Sequence, residues 1–263
     1  MTGLARPVVT VFVVAIYAFL MAPILVVVLA SLNAGNFLTF PPQGLSLRWF
    51  FVFLNNEVFL AAIRFSLILA LSATAISLVI GTLAALYYVR HARADRDAVH
   101  LGMLLPLLLP EILTAIALLF FFYEIGIGLR NYIALLTGHV LITLPFVFLN
   151  VTASLQGLDG SAELAARSLG ASRWTAFRRI TLPLAKPGII SGGLFAFIIS
   201  FDTFGISLLL KGTGTAPLPI QLYDYLRFNF TPEAAAVSTF SILLTLVVIV
   251  LSDRVFGLQV KRF

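Results

Sequence analysis

VVTVFVVAIYAFLMAPILVVVLASL, residues 8–32, decides the fold class. It carries no charged side chain, and a helix needs only about 20 apolar residues to cross the hydrocarbon of a bilayer. With no water there, every backbone N–H and C=O must pair within the segment or with a closed barrel. The run lacks the apolar–polar alternation of a barrel strand. It reads as a membrane-spanning helix. Arg6 precedes it as a basic residue precedes a secretory signal, but the run is too long for a signal's apolar core. No convincing small-residue cleavage site follows, so an uncleaved first span is expected.

The same pattern recurs along the chain. Residues are 60% hydrophobic and 11% charged, with a mean hydropathy of +1.06, whereas a soluble domain carries about 25% charged residues. Further spans are expected at about 58–89, 99–123, 132–155, 188–210 and 234–255. Pro106 and Pro110 interrupt the third. A loop with Pro41, Pro42 and Gly44 and an amphipathic piece at 47–54 follow the first span, and a Gly/Pro-rich loop occupies 211–233. No internal repeat is visible. The expected fold is all-α and integral to the membrane, one domain over 1–263 with six transmembrane helices.

The net charge of +6 is not a nucleic-acid patch, because the basic residues are spread through short loops. If the segment before the first span is cytoplasmic, that side receives Arg6, Arg90, Arg93, Arg96, Arg167, Arg173, Arg178, Arg179, Lys186, Arg254, Lys261 and Arg262. These are twelve of the 17 Lys and Arg residues, against Arg48, Arg64, Arg130, Lys211 and Arg227 opposite. Positive charge favours the cytoplasmic side, so both termini and the polar segment 156–186 are expected there. The chain has no cysteine, which excludes disulfides and thiol chemistry, and His91, His100 and His139 lack metal-ligand spacing.

Within 156–186, Leu158, Ala162, Ala165, Ala166 and Leu169 recur at helical spacing. Asp159 can cap the start, and Gly170 sits where a C-cap needs a left-handed residue. Ser172 can cap a second short helix carrying Trp174, Phe177 and Ile180, which Pro183 and Pro187 are expected to stop. Such an elbow either docks in a groove of a protein partner or lies on lipid headgroups. The residues alone leave both open.

The sequence Glu163-Leu164-Ala165-Ala166, with Gly170 and Ile180-Thr181-Leu182-Pro183 beyond it, resembles the EAA loop of ABC-importer permeases. That pattern is E-A-A, three residues, G, nine residues, I-x-L-P; the departure lies at Leu164. Phe201-Asp202-Thr203-Phe204, Leu218-Pro219-Ile220 and Phe230-Thr231-Pro232-Glu233 resemble the shorter permease subunit of spermidine/putrescine-type importers. The resemblance implies the MetI-like type I permease fold in a bacterial inner membrane. It implies a cytoplasmic coupling helix held in a cleft of an ATPase, formed by Glu163, Ala165, Ala166, Arg167, Gly170, Arg173, Leu182 and Pro183. It also implies a second permease subunit, two ATPase subunits carrying ATP-Mg, an extracytoplasmic solute-binding protein, and no cofactor on this chain. The solute would be a polyamine, a related amine or amino-acid-type compound, or a phosphonate. The chain has no G-x-x-x-x-G-K-[ST] phosphate loop; Lys211-Gly212-Thr213-Gly214-Thr215 is only superficially similar.

Ionisable groups within spans are costly and point to a solute route. Glu111, after Pro110, and Asp202, beside Thr203, are the two candidates, with Tyr123 near the outer mouth. Glu111 can instead satisfy backbone groups freed by Pro110, and Asp202 can cap a helix break. His139 reads as a hydrogen-bonded packing residue. Polyamine relatives often carry a second acid where Thr203 stands, which argues against a multiply charged solute. The rival is an ion-coupled secondary transporter using Glu111 and Asp202, which would show internal symmetry. Nothing in the sequence has the nucleophile–base or metal-ligand pattern of an enzyme.

Overall fold

The long apolar runs fold as helices in the computed structural model, which describes residues 5–127, 131–157, 161–212 and 214–256. The expected cap Asp159, stripe residue Leu158 and orientation charges Arg130, Lys261 and Arg262 lie outside the described residues. In chain order the helices are α1 (Ala5–Ser31), α2 (Arg48–Leu54), α3 (Glu57–Arg90), α4 (Arg96–Leu108), α5 (Glu111–Glu124) and α6 (Tyr132–Gln156). After them come α7 (Ser161–Ser168), α8 (Arg173–Ala176), a π turn (Phe177–Thr181), α9 (Leu182–Asp202), α10 (Gly205–Leu210), α11 (Leu218–Leu226) and α12 (Glu233–Phe256). Among the described residues, five helices are long and apolar enough to cross a membrane, and a sixth crossing results if the bent pair α4–α5 is one span. Contacts divide the chain into two compact units, Met1–Leu60 with Gln221–Thr245, and Ala61–Ile220 with Leu246–Phe263.

The first unit is organised by buried polar groups. Asn33, fully buried, accepts the N–H groups of Gly35 (3.0 Å) and Gln43 (2.9 Å) and donates to the Phe37 carbonyl and Thr39 Oγ1 (both 3.0 Å). One buried side chain thereby pairs with four polar groups of the turning segment that follows α1. Glu233 in the first turn of α12 is buried and accepts from Asn56 Nδ2 and the Tyr225 hydroxyl, each at 2.8 Å.

The second unit is built on α6 and α9, which pack together more extensively than any other pair of described elements. Gly188 and Gly192 lie four residues apart on one face of α9, the small-residue spacing that lets spans approach closely. A Cβ at Gly188 would fall 2.5 Å from the Asn150 carbonyl oxygen, and one at Gly192 would fall 2.9 Å from Val147 Cα. Around this seam cluster Ala85, Val147, Phe148, Val151, Leu155, Ala185 and Ala196. Gly188→Ala is therefore expected to destabilise the purified chain by about 1–3 kcal/mol through overpacking against backbone. A fall in detergent thermal-unfolding temperature would register it, and an unchanged midpoint would contradict the close approach.

Two spans depart from expectation. The run expected at 99–123 is two helices bent by 103°. Leu109, before Pro110, is extended at ψ 141, because the proline ring excludes its predecessor from helical geometry. The short helix after Ser172, expected to stop at Pro183, instead runs on through the π turn into α9, one helical stretch from Arg173 to Asp202. Pro183 follows directly on the π turn, and both it and Pro187 are accommodated within the helix. The fifth span, expected to reach 210, breaks at Thr203, which is extended at ψ 122, and resumes as α10.

Between α3 and α4, the Tyr87 hydroxyl donates to Asp95 at 2.5 Å, and the Arg93 N–H donates to it at 3.1 Å. These bonds hold the Asp95 carboxyl below its usual range. A depressed pKa contributes stability above the unfolded value that is lost as pH falls through the folded one.

Candidate functional site

The elbow is shaped by capping. Gly170 has φ +90, its N–H bonds the Arg167 carbonyl, and the Ala171 N–H bonds the Ala166 carbonyl, both at 3.0 Å. That pairing closes α7 with a Schellman turn that a Cβ would strain. Ser172 Oγ then accepts the Thr175 N–H at 3.2 Å and starts α8. None of the residues of α7 is buried, and Leu169 and Trp174 are 90% and 67% exposed. Arg90, Leu164, Arg167, Arg173, Trp174 and Phe177 line a cleft of about 770 Å³ beside them. Ala165 is exposed and Ala166 half-buried on α7, and Leu182 and Pro183 are exposed at the start of α9.

Glu163 lines the same cleft, but its carboxylate is engaged from within the chain. Its Oε2 pairs with the guanidinium of Arg90, the last residue of α3. It also accepts from the buried Thr181 hydroxyl at 2.8 Å, while Arg90 donates to that hydroxyl at 2.7 Å. The register explains this. Counted back from Gly170, the E-A-A pattern falls on Leu164-Ala165-Ala166, so Leu164 holds the acidic position and Glu163 lies one residue, about 100° of helix, away. Sequence reasoning had treated Arg90 only as an orientation charge and had given Thr181 no role. No local signal pairs them, because 73 residues separate Arg90 from Glu163.

The second feature is a cavity of about 540 Å³ at the two helix breaks, with walls that include Pro106, Leu109, Ile142, Phe146, Ile199 and Phe204. Glu111, Asp202 and Thr203 supply its polar groups. Asp202 is exposed into it, and among the described residues no hydrogen bond or ion pair reaches its carboxylate. Thr203 donates to the Ile199 carbonyl at 2.6 Å. Glu111 Oε1 accepts the Ile206 N–H of α10 at 2.8 Å. Tyr123, at the far end of α5, is exposed and is not among the lining residues. His139, fully buried on α6, bonds Ser200 Oγ through Nδ1 (2.8 Å) and Ser207 Oγ through Nε2 (3.1 Å). It is thus the hydrogen-bonded packing residue expected, and it joins the helices on either side of the break. Among the described residues no cluster of His, Cys, Asp and Glu could hold a metal.

Comparison with known proteins agrees with this architecture. Residues 77–263 match the family described as the binding-protein-dependent transport system inner membrane component. The spermidine/putrescine transport system permease protein PotC of Escherichia coli (strain K12) is 32% identical over 244 residues, covering 93% of this chain and 92% of that relative. The putrescine transport system permease protein PotI of the same strain is 31% identical over 229 residues, covering 85% and 81%. Among solved structures, a bacterial ABC transporter involved in alginate import superposes with a TM-score of 0.73 at 18% identity, over 98% of this chain and 96% of that one. The MetNI methionine transporter gives 0.61 at 18% identity, over 81% and 98%; these two show the shared fold. By this kinship the chain belongs to the inner-membrane permeases of binding-protein-dependent ABC importers and serves as a translocation subunit.

Proposed function

We propose that this permease admits a small cationic amine, of the polyamine or a related type, past Asp202 while separate ATPase subunits bind and hydrolyse ATP-Mg. The observation that carries the reading is the unpartnered Asp202 carboxylate in a largely apolar cavity. A carboxylate in such surroundings is costly until a cation pairs with it, and an ammonium on an aliphatic stem suits both the charge and the walls. The names of the two polyamine relatives support the same chemistry. A second permease subunit would complete the route, a solute-binding protein would deliver the amine from outside, and both termini would be cytoplasmic, as the distribution of basic residues favours. The elbow's exposed Leu164, Leu169 and Trp174, flanked by Arg167 and Arg173, would dock on an ATPase through apolar contact and charge pairing.

The assembled importer in liposomes, supplied with receptor and labelled putrescine, tests this. Uptake is expected to require ATP and to survive an ionophore. Asp202→Asn is expected to raise KM about tenfold, the loss of one charge-assisted bond. Equal KM in wild type and Asp202→Asn would remove Asp202 from the route. Uptake abolished by ionophore despite ATP would favour an ion-coupled carrier.

A further inference from the structure

We infer that Glu111 is a positioning residue that fixes the break in the fifth span, and that Asp202, the lining carboxylate with no hydrogen-bond or ion-pair partner among the described residues, is the one that meets solute. The inference rests on the cationic-solute reading of the cavity and assigns its two acids different work.

The first ground is where the Glu111 carboxylate goes. It bonds the Ile206 N–H at 2.8 Å, and that group belongs to the first turn of α10, where no carbonyl of the preceding turn can reach it. An unsatisfied N–H at such a site disfavours the break, and a carboxylate is a strong acceptor for it. The second ground is the space left for it. A Cβ on Gly205 would lie 2.9 Å from Glu111 Cδ and 3.1 and 3.2 Å from its two oxygens. Glycine at 205 therefore admits this carboxylate against the backbone. The third ground is a matching tie on the other side. His139 bonds Ser200, before the break, and Ser207, after it. Thr203 closes its own hydroxyl onto Ile199 at 2.6 Å. The interruption between α9 and α10 is thus held from α5 and from α6.

Asp202 is the last residue of α9, directly at that interruption. The direction of its carboxylate is set by the backbone of Thr203 and Phe204, and so by what holds α10 in place. Glu111 acts on solute through this geometry, with its Oε1 engaged by the Ile206 N–H. An amide oxygen can accept the same N–H, so glutamine should replace Glu111 and alanine should not.

The test uses the assembled importer with labelled putrescine. Glu111→Ala is expected to raise KM and lower Vmax, each about tenfold, and Glu111→Gln to restore both to within about threefold of wild type. Gly205→Ala, which crowds the carboxylate from the opposite side, is expected to resemble Glu111→Ala. Asp202→Asn with Glu111→Gln should match Asp202→Asn alone. If Glu111→Gln raises KM as much as Asp202→Asn does, Glu111 is a cation ligand and the inference fails. If Glu111→Ala transports as wild type, the break does not depend on it and the inference fails likewise. Wild-type KM in Asp202→Asn overturns instead the reading of the cavity. Thermal unfolding of the alanine and glutamine variants then still reports whether Glu111 holds the break, and equal midpoints would count against it.

Discussion

Gly170→Asp is expected to abolish ATP-driven uptake while leaving the chain inserted and folded. Gly170 adopts φ +90 with no atom within 4 Å of a built Cβ, so the free chain has room for a side chain. The backbone cost is modest, because aspartate and asparagine tolerate the left-handed region better than other residues. What changes is the surface. A carboxylate would stand between Leu169 and the Arg173–Trp174 edge, where an ATPase would have to approach closely. Burying an unpaired carboxylate there costs several kcal/mol, enough to lower association by a factor of roughly 1,000 or more. Gly170→Asn separates charge from conformation and is expected to retain measurable uptake. Co-purification of the ATPase together with uptake checks both variants. Wild-type transport by Gly170→Asp would refute docking at this turn.

Charge reversal at the Arg90–Glu163 pair should have the next largest effect. The two side chains are 31% and 24% exposed, so the pair is better shielded than a surface salt bridge. It shares Thr181 with the π turn that leads into α9. The triad therefore ties three segments, the end of α3, the elbow helix α7 and the root of α9. Arg90→Glu would set two carboxylates against one hydroxyl, and Glu163→Arg two guanidinium groups. Either reversal should cost about 2–3 kcal/mol after allowing for solvent, and uptake should fall roughly 30- to 150-fold. The combined Arg90→Glu, Glu163→Arg protein is expected to recover most of that loss, because opposite charges meet again. A double variant no better than its parents would show that the pair does not set elbow position.

The spans were legible because crossing a bilayer demands long apolar runs, a constraint local to each segment. The elbow was legible for a similar reason, since Gly170 and Ser172 write their caps into adjacent residues. What the sequence hid was long-range. Nothing near Ile206 announces that its N–H will be met by Glu111, 95 residues earlier. Nothing near Glu163 points to Arg90, 73 residues earlier. Pro183 and Pro187 were misread because a proline rule formulated for uniform α-helix ignores a preceding π turn. Asp202 was visible as an acid in a span, and its placement at a break was one of the two roles its neighbours allowed. Tyr123 was selected by proximity along the chain, which the geometry of α5 does not convert into proximity in space.

The unbroken helix from Arg173 to Asp202 runs 30 residues, about 45 Å at ordinary helical rise. With the elbow docked as proposed, it would work as a lever with a handle at the elbow and a tip at the acid. A swing of about 10° about one end would carry the other through roughly 8 Å. Nucleotide-driven motion at the handle would then reach the cargo along one helix, with the π turn and Pro187 as the points where it can flex.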